Sequence, residues 1–168
     1  MGGFLSLPIL MVVVALQTTL VPQIRFWDGG PDLVFLCVLV WSVHAPLEQS
    51  VAWALVGGVM QDLMSVAPVG MSSIGLVVIV FVVSSIARQV NRVGILILAG
   101  LVLAGSLFQQ VSVWSLFAIW GFRVDLLDDF GFVIVPTIVY NLVLIWPVYG
   151  FLRIIQRRVS DPRRVFAP

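Results

Sequence analysis

From Ile95 to Trp120 this chain carries no charged residue, and the same holds from Phe132 to Leu152 and from Phe4 to Val21. Runs of that length approach or exceed the roughly 20 apolar residues an α-helix needs to cross a hydrocarbon core. No other feature constrains the fold as much, because backbone groups in lipid must find their hydrogen bonds within the protein, as helices do. Shorter apolar runs at Leu33 to Ala45, Val51 to Met60 and Ile74 to Ala87 bring the set to six. Composition agrees: 61% of the 168 residues are hydrophobic and 10% are charged, against about 25% charged in a soluble domain. Such a chain cannot wet a surface of its own.

The expected fold is therefore all-α: a polytopic integral membrane protein of about six transmembrane helices. Residues 1–168 form a single transmembrane domain. Its expected spans are 4–24, 32–46, 47–62, 73–88, 93–121 and 132–152, with 153–168 a basic cytoplasmic tail. Six passes at about 28 residues each leave no room for a large extramembrane domain. Residues 1–10 lack the basic stretch and small-residue cleavage site of a secretory signal, so the first run is expected to be kept as a helix. The second and third runs are short. At 1.5 Å per residue, about 14 residues reach only about 21 Å of a roughly 30 Å core. We read them as a thin pair of spans extended by their flanks; a re-entrant pair is the alternative. The fifth run contains Gln109 and Gln110, where it is expected to tilt or break.

Orientation follows from the arginines, since every basic residue here is Arg and none is Lys. Arg88 and Arg92 lie between the fourth and fifth runs, and Arg153, Arg157, Arg158, Arg163 and Arg164 follow the sixth. Two spans separate these clusters, so both face one compartment, which the positive-inside rule assigns to the cytoplasm. Counting back through six spans places the amino terminus there too; five spans would place it outside. The opposite loops carry Asp28, Asp32, Asp62, Asp125, Asp128 and Asp129 against only Arg25 and Arg123. The basic tail is drawn to anionic lipid by about 1 kcal/mol per Arg near the surface.

Polar residues within the runs need partners. Asn141 interrupts the last run, and an unpaired amide in hydrocarbon costs several kcal/mol. It points to a helix-locking bond, a contact with another protein, or generic interhelical bonding worth about 0.6 kcal/mol. Pro147 would kink the same helix and free one carbonyl. Asp62 closes a glycine-bearing helix ahead of a Ser-Pro-Gly turn, where its carboxylate can accept from the turn's amides; a merely solvated helix end is the alternative. Asp32 follows Pro31 and can cap the second run. Small residues four apart, Ala54 with Gly58 and Gly100 with Ala104, would let helices approach closely.

Chemistry-bearing patterns are missing. His44 stands alone, which fits an interfacial histidine better than a metal ligand. The single Cys37 lies in an apolar run and reads as a small core hydrophobe. Neither a zinc-helix pattern, nor a phosphate loop, nor a nucleophile elbow is present. The acidic loop of Asp125, Asp128 and Asp129 lacks a second ligand cluster. No enzyme, cofactor or metal is expected, and no nucleic-acid partner.

The chain resembles the rod shape-determining MreD family. The matching residues are Pro31-Asp32-Leu33, then Gly57, then Asp62-Leu63 with Ser65, Pro68 and Gly70, and finally Asn141 with Trp146-Pro147 and a basic tail. The resemblance implies a non-enzymatic membrane scaffold of the bacterial cell-elongation machinery, set in the inner membrane. Its main partner would be MreC, a single-span protein. Through MreC it would support the filament protein MreB, RodA and a penicillin-binding transpeptidase in lateral peptidoglycan synthesis, with membrane lipids and a second copy as further contacts. It also implies a fold similar to the substrate-binding subunits of energy-coupling vitamin transporters. Pro31, Asp32, Gly57, Asp62, Gly70, Asn141 and Pro147 would then be structural or partner-binding. The competing expectation is a substrate-capturing transporter subunit, against which the first helix offers only one Ala in Leu7 to Leu16.

Overall fold

The computed structural model describes residues 6–24, 29–65, 68–90, 93–119, 121 and 133–159. Its elements are helices: α1 (Ser6–Thr19), α2 (Val21–Ile24), α3 (Leu33–His44), α4 (Leu47–Leu63), α5 (Met71–Gln89), α6 (Ile95–Ile119) and α7 (Val135–Val159). Three stretches are long and apolar enough to cross a membrane, Met71–Gln89, Leu96–Leu116 and Val135–Ile155, while Leu7–Thr19 and Leu33–His44 are shorter apolar helices.

Pro22 explains why α1 and α2 are separate. It has no N–H to continue the ladder, and the hydroxyls of Thr18 and Thr19 both donate back to the Ala15 carbonyl, at 3.1 and 2.6 Å. Such back-bonding loosens a helix end.

The shortest of the apolar helices is the core of the molecule. Residues Val34 to Ser42 of α3 are all buried, and α3 packs against α1, α4, α5, α6 and α7. Around it the other helices touch in the order α1, α4, α5, α6, α7. With 12 residues, α3 is only ~18 Å long. Its flanks do not lengthen it, contrary to the sequence reading, because Asp32 caps one end and Ala45, ahead of Pro46, terminates the other. A helix enclosed by protein needs no match to bilayer thickness, since irregular backbone at membrane depth is tolerated where protein covers it. In its last turn Trp41 stacks on Trp53 of α4, with ring centroids 4.1 Å apart and planes 11° from parallel.

The outer faces are apolar as well: Val12 is 60% exposed, Leu96 88% and Trp146 56%. A water-soluble protein would cover such a surface; lipid makes it the favourable one.

Two further expectations are corrected. The fifth run does not break at its glutamines, because α6 continues from Ile95 to Ile119 with Gln109 turned inward to donate to the Ser72 carbonyl of α5 at 3.4 Å. The last helix does not stop where the basic tail begins. It passes Pro147 and runs to Val159, taking Arg153 with it.

Close approach is set by glycines at particular faces. A Cβ on Gly58 would run into the backbone of Ser73 in α5, one on Gly75 into the Gln109 amide, and one on Gly105 would lie 2.9 Å from the Phe35 ring. Gly100, by contrast, has nothing within 4 Å among the described residues. The expected Gly100–Ala104 seam is therefore not a contact between the described helices.

Candidate functional site

Two ends of the bundle differ in chemistry. At one, the close of α3 meets α7, with the His44 ring 5.7 Å from that of Tyr149 and the Arg153 guanidinium 5.9 Å from the same ring. Val93 and Leu98 also adjoin Tyr149, which puts Arg88, just before them, at this end. We call it the arginine end. At the far end lie the buried polar groups.

The far end of α3 opens inside the bundle, so its first amides cannot be left to water. Those of Asp32, Val34, Phe35 and Leu36 have side-chain or backbone acceptors. The Asp32 N–H donates to Asn141 Oδ1 of α7 at 2.9 Å, Val34 N–H to Gln17 Oε1 of α1 at 3.0 Å, and Phe35 N–H to Asp32 Oδ1 at 3.0 Å. Leu36 N–H donates to the Asp32 carbonyl at 3.1 Å. Asn141 Nδ2 in turn donates to Ser106 Oγ of α6 at 3.0 Å. Both ends of the Asn141 amide are thus bonded within the chain, joining α3, α6 and α7. Pro31 is buried beside this cap. Just before it, Gly29 is pressed against α7, where a Cβ would lie 2.6 Å from the Val133 carbonyl oxygen.

A second fastening ties α4 to α5. Asp62 is 1% exposed. Its carboxylate accepts from Gly70 N–H at 2.7 Å and from Ser72 N–H at 3.1 Å. Those amides belong to the free N-terminal turn of α5, so Asp62 caps a neighbouring helix across the loop between them. Gly70 adopts φ 105° with open space around it, so backbone conformation, not crowding, favours glycine there. Gly57 sits lower on α4, where a Cβ would come within 3.0 Å of Val34 Cγ1.

Two hollows remain. A polar cavity of about 390 Å³ lies at the far end among α1, α3, α4, α6 and α7, with Gln17, Asp32, Gln61, Gln110 and Thr137 in its wall. An apolar groove of about 500 Å³ runs between α1 and α7, walled by Val12, Leu16, Leu144 and Pro147 and floored by Leu33 and Cys37 of α3.

The structure thus brings Pro31, Asp32 and Asn141 together, pairs Asp62 with Gly70, and leaves Pro147 apart on the groove. Sequence reasoning missed Gln17, Gln61 and Ser106. Gln17 was visible as a polar residue in an apolar run; Ser106 gave no signal, since serine is common in membrane helices. Arg92, the knot at Arg25 to Asp28 and the acidic loop of Asp125, Asp128 and Asp129 lie outside the described residues, as do the side chains of Arg157 and Arg158. Among the described residues no three His, Cys, Asp or Glu side chains group as metal ligands.

Fold and site define a class: a helical membrane protein that uses its buried polar groups to fasten helix ends, around a short central helix. The chain belongs to the MreD family, since the family model described as rod shape-determining protein MreD matches residues 1–159. It is accordingly a membrane protein with a role in rod shape determination. No curated protein and no solved structure matches it.

Proposed function

We propose that the chain is a non-enzymatic scaffold of the bacterial inner membrane that holds MreC, and through it supports MreB, RodA and a penicillin-binding transpeptidase in lateral cell-wall synthesis. In this reading the helices make six passes, α1 with α2 counting as one. Both termini are cytoplasmic, and the bundle is similar to the substrate-binding subunits of energy-coupling transporters. Arg88 and Arg153 at one end of the bundle support that orientation.

The observation that carries the scaffold reading is the groove between α1 and α7. The outer helices pack on one another elsewhere around α3, but here a hollow of about 500 Å³ with an apolar lining opens outward. It suits an apolar helix, which associates in lipid by close packing. Pro147 in its wall cannot donate to the Val143 carbonyl, leaving an acceptor for a hydroxyl on an incoming helix.

Co-expression with tagged MreC tests the proposal. Wild-type chain should co-purify in mild detergent. Val12→Trp, which fills the groove, should cut recovery several-fold, while Leu96→Trp on the 88% exposed face of α6 should not. Equal recovery of MreC with both variants would remove the groove from the interface, and failure of the wild-type chain to bind MreC would remove the scaffold.

A further inference from the structure

The polar cavity at the far end is unlike the groove, and its acceptors are not all used. Asp32 Oδ1 already accepts from Phe35 N–H and from Gln17 Nε2, at 3.0 and 3.4 Å. Asp32 Oδ2 accepts from Gln61 Nε2 at 3.2 Å. That bond fixes which way the Gln61 amide faces, because a carboxylate can only accept. The other end of the amide, Gln61 Oε1, is buried and has no hydrogen-bond partner among the described residues. A buried acceptor left unmade costs roughly 1–3 kcal/mol. Asp32 and Gln61 thus both belong to the wall of a cavity of about 390 Å³, with the unsatisfied Gln61 Oε1 buried within that wall. That volume falls in the roughly 300–1,000 Å³ range of small-molecule sites.

We infer that this cavity binds the ammonium or guanidinium group of a small organic cation, which would donate to the Asp32 carboxylate and, with the Gln61 side chain turned towards it, to Gln61 Oε1. The alternatives fit the wall less well. No Arg or Lys is among its described lining residues, so an anion would meet only Asp32's charge. A bare metal ion would find one carboxylate where hard cations take six or more oxygens. An apolar guest would leave Gln61 Oε1 and the carboxylate desolvated without compensation. An organic cation supplies charge and several N–H donors in one group. It can come from solution or from the headgroup of an aminophospholipid. The inference uses the fold alone and does not need the scaffold reading.

The test is binding to the purified full-length chain, first in lipid-free maltoside detergent, read by calorimetry and thermal shift. Ethanolamine and agmatine are the probes, and ethylene glycol is the neutral control. Both amines should raise Tm in a concentration-dependent way, and ethylene glycol should not. Asp32→Asn keeps a good helix cap but removes the charge, and should weaken binding by roughly tenfold or more, the loss of a charge-assisted hydrogen bond. Should that variant fail to fold, Gln61→Leu removes the free acceptor and should weaken binding several-fold. Repeating the titration in nanodiscs separates the sources. A shift that shrinks when phosphatidylethanolamine joins phosphatidylcholine identifies a lipid headgroup; an equal shift in both identifies a soluble cation. Absence of any amine-dependent shift in detergent, or wild-type affinity in both Asp32→Asn and Gln61→Leu, would overturn the proposal.

Discussion

Asp62 does from a neighbouring helix what an N-cap residue ordinarily does from within its own. Its two oxygens take the Gly70 and Ser72 amides, at 2.7 and 3.1 Å, from a site that is almost wholly buried. Removing the carboxylate would deprive the buried Ser72 N–H of its acceptor, and each such loss costs roughly 1–3 kcal/mol. Asp62→Ala should therefore lower the detergent-solubilised Tm markedly. Asp62→Asn keeps one acceptor oxygen and should lose roughly half as much. Thermal unfolding followed by intrinsic tryptophan fluorescence measures both; equal Tm for wild type and Asp62→Ala would show that the contact carries no stability. The contrast with Gln61, its neighbour, is instructive. An acid beside a Ser-Pro-Gly turn announces a cap in the sequence, because the turn supplies free amides in the same short stretch. Gln61 gives no such sign, since its partner Asp32 lies in another segment and only the fold joins them.

At the scale of helices, small residues matter by the face on which they fall. Gly58 and Gly100 each sit four residues from an alanine, and sequence spacing cannot tell them apart. In the bundle Gly58 meets the Ser73 backbone of α5, whereas Gly100 meets none of the described residues within 4 Å. Gly58→Ala should cost about 1–3 kcal/mol, because its methyl group must push α4 off α5. Gly100→Ala should be neutral or stabilise by up to about 1 kcal/mol, as Ala replaces Gly in an open helix position. Paired Tm measurements decide the matter, and a loss at Gly100 matching that at Gly58 would contradict the packing described. The same distinction marks what was legible beforehand. Helical character followed from the charge-free runs, and the cap at Asp32 from Pro31-Asp32. That α3 is the hub around which the rest assemble could not be read, because an apolar run looks alike whether lipid or protein surrounds it. Asn141 announced a need for partners without naming Asp32 and Ser106, which are 109 and 35 residues away.

For the molecule as a whole, the two ends form a gradient: guanidinium groups at one, inward-turned carboxylates and amides at the other. The positive-inside rule turns that gradient into an orientation, and the chain's single cysteine makes it measurable. Cys37 is free and 5% exposed, so Cys37→Ala provides a background without thiols at the cost of one small core side chain. Into it, Ser65→Cys places a thiol at the exposed far end and Arg153→Cys one at the exposed arginine end. A membrane-impermeant maleimide applied to intact spheroplasts should label the first and spare the second; inverted vesicles should reverse the pattern. The opposite pattern would put Arg88 and Arg153 outside and defeat the proposed docking of cytoplasmic partners at that end. The number of passes needs a third probe, Gly2→Cys, because a five-pass chain keeps both of those sites where they are and moves only the amino terminus. With six passes Gly2→Cys is labelled in inverted vesicles alone; labelling in spheroplasts would instead put the amino terminus outside and leave five passes.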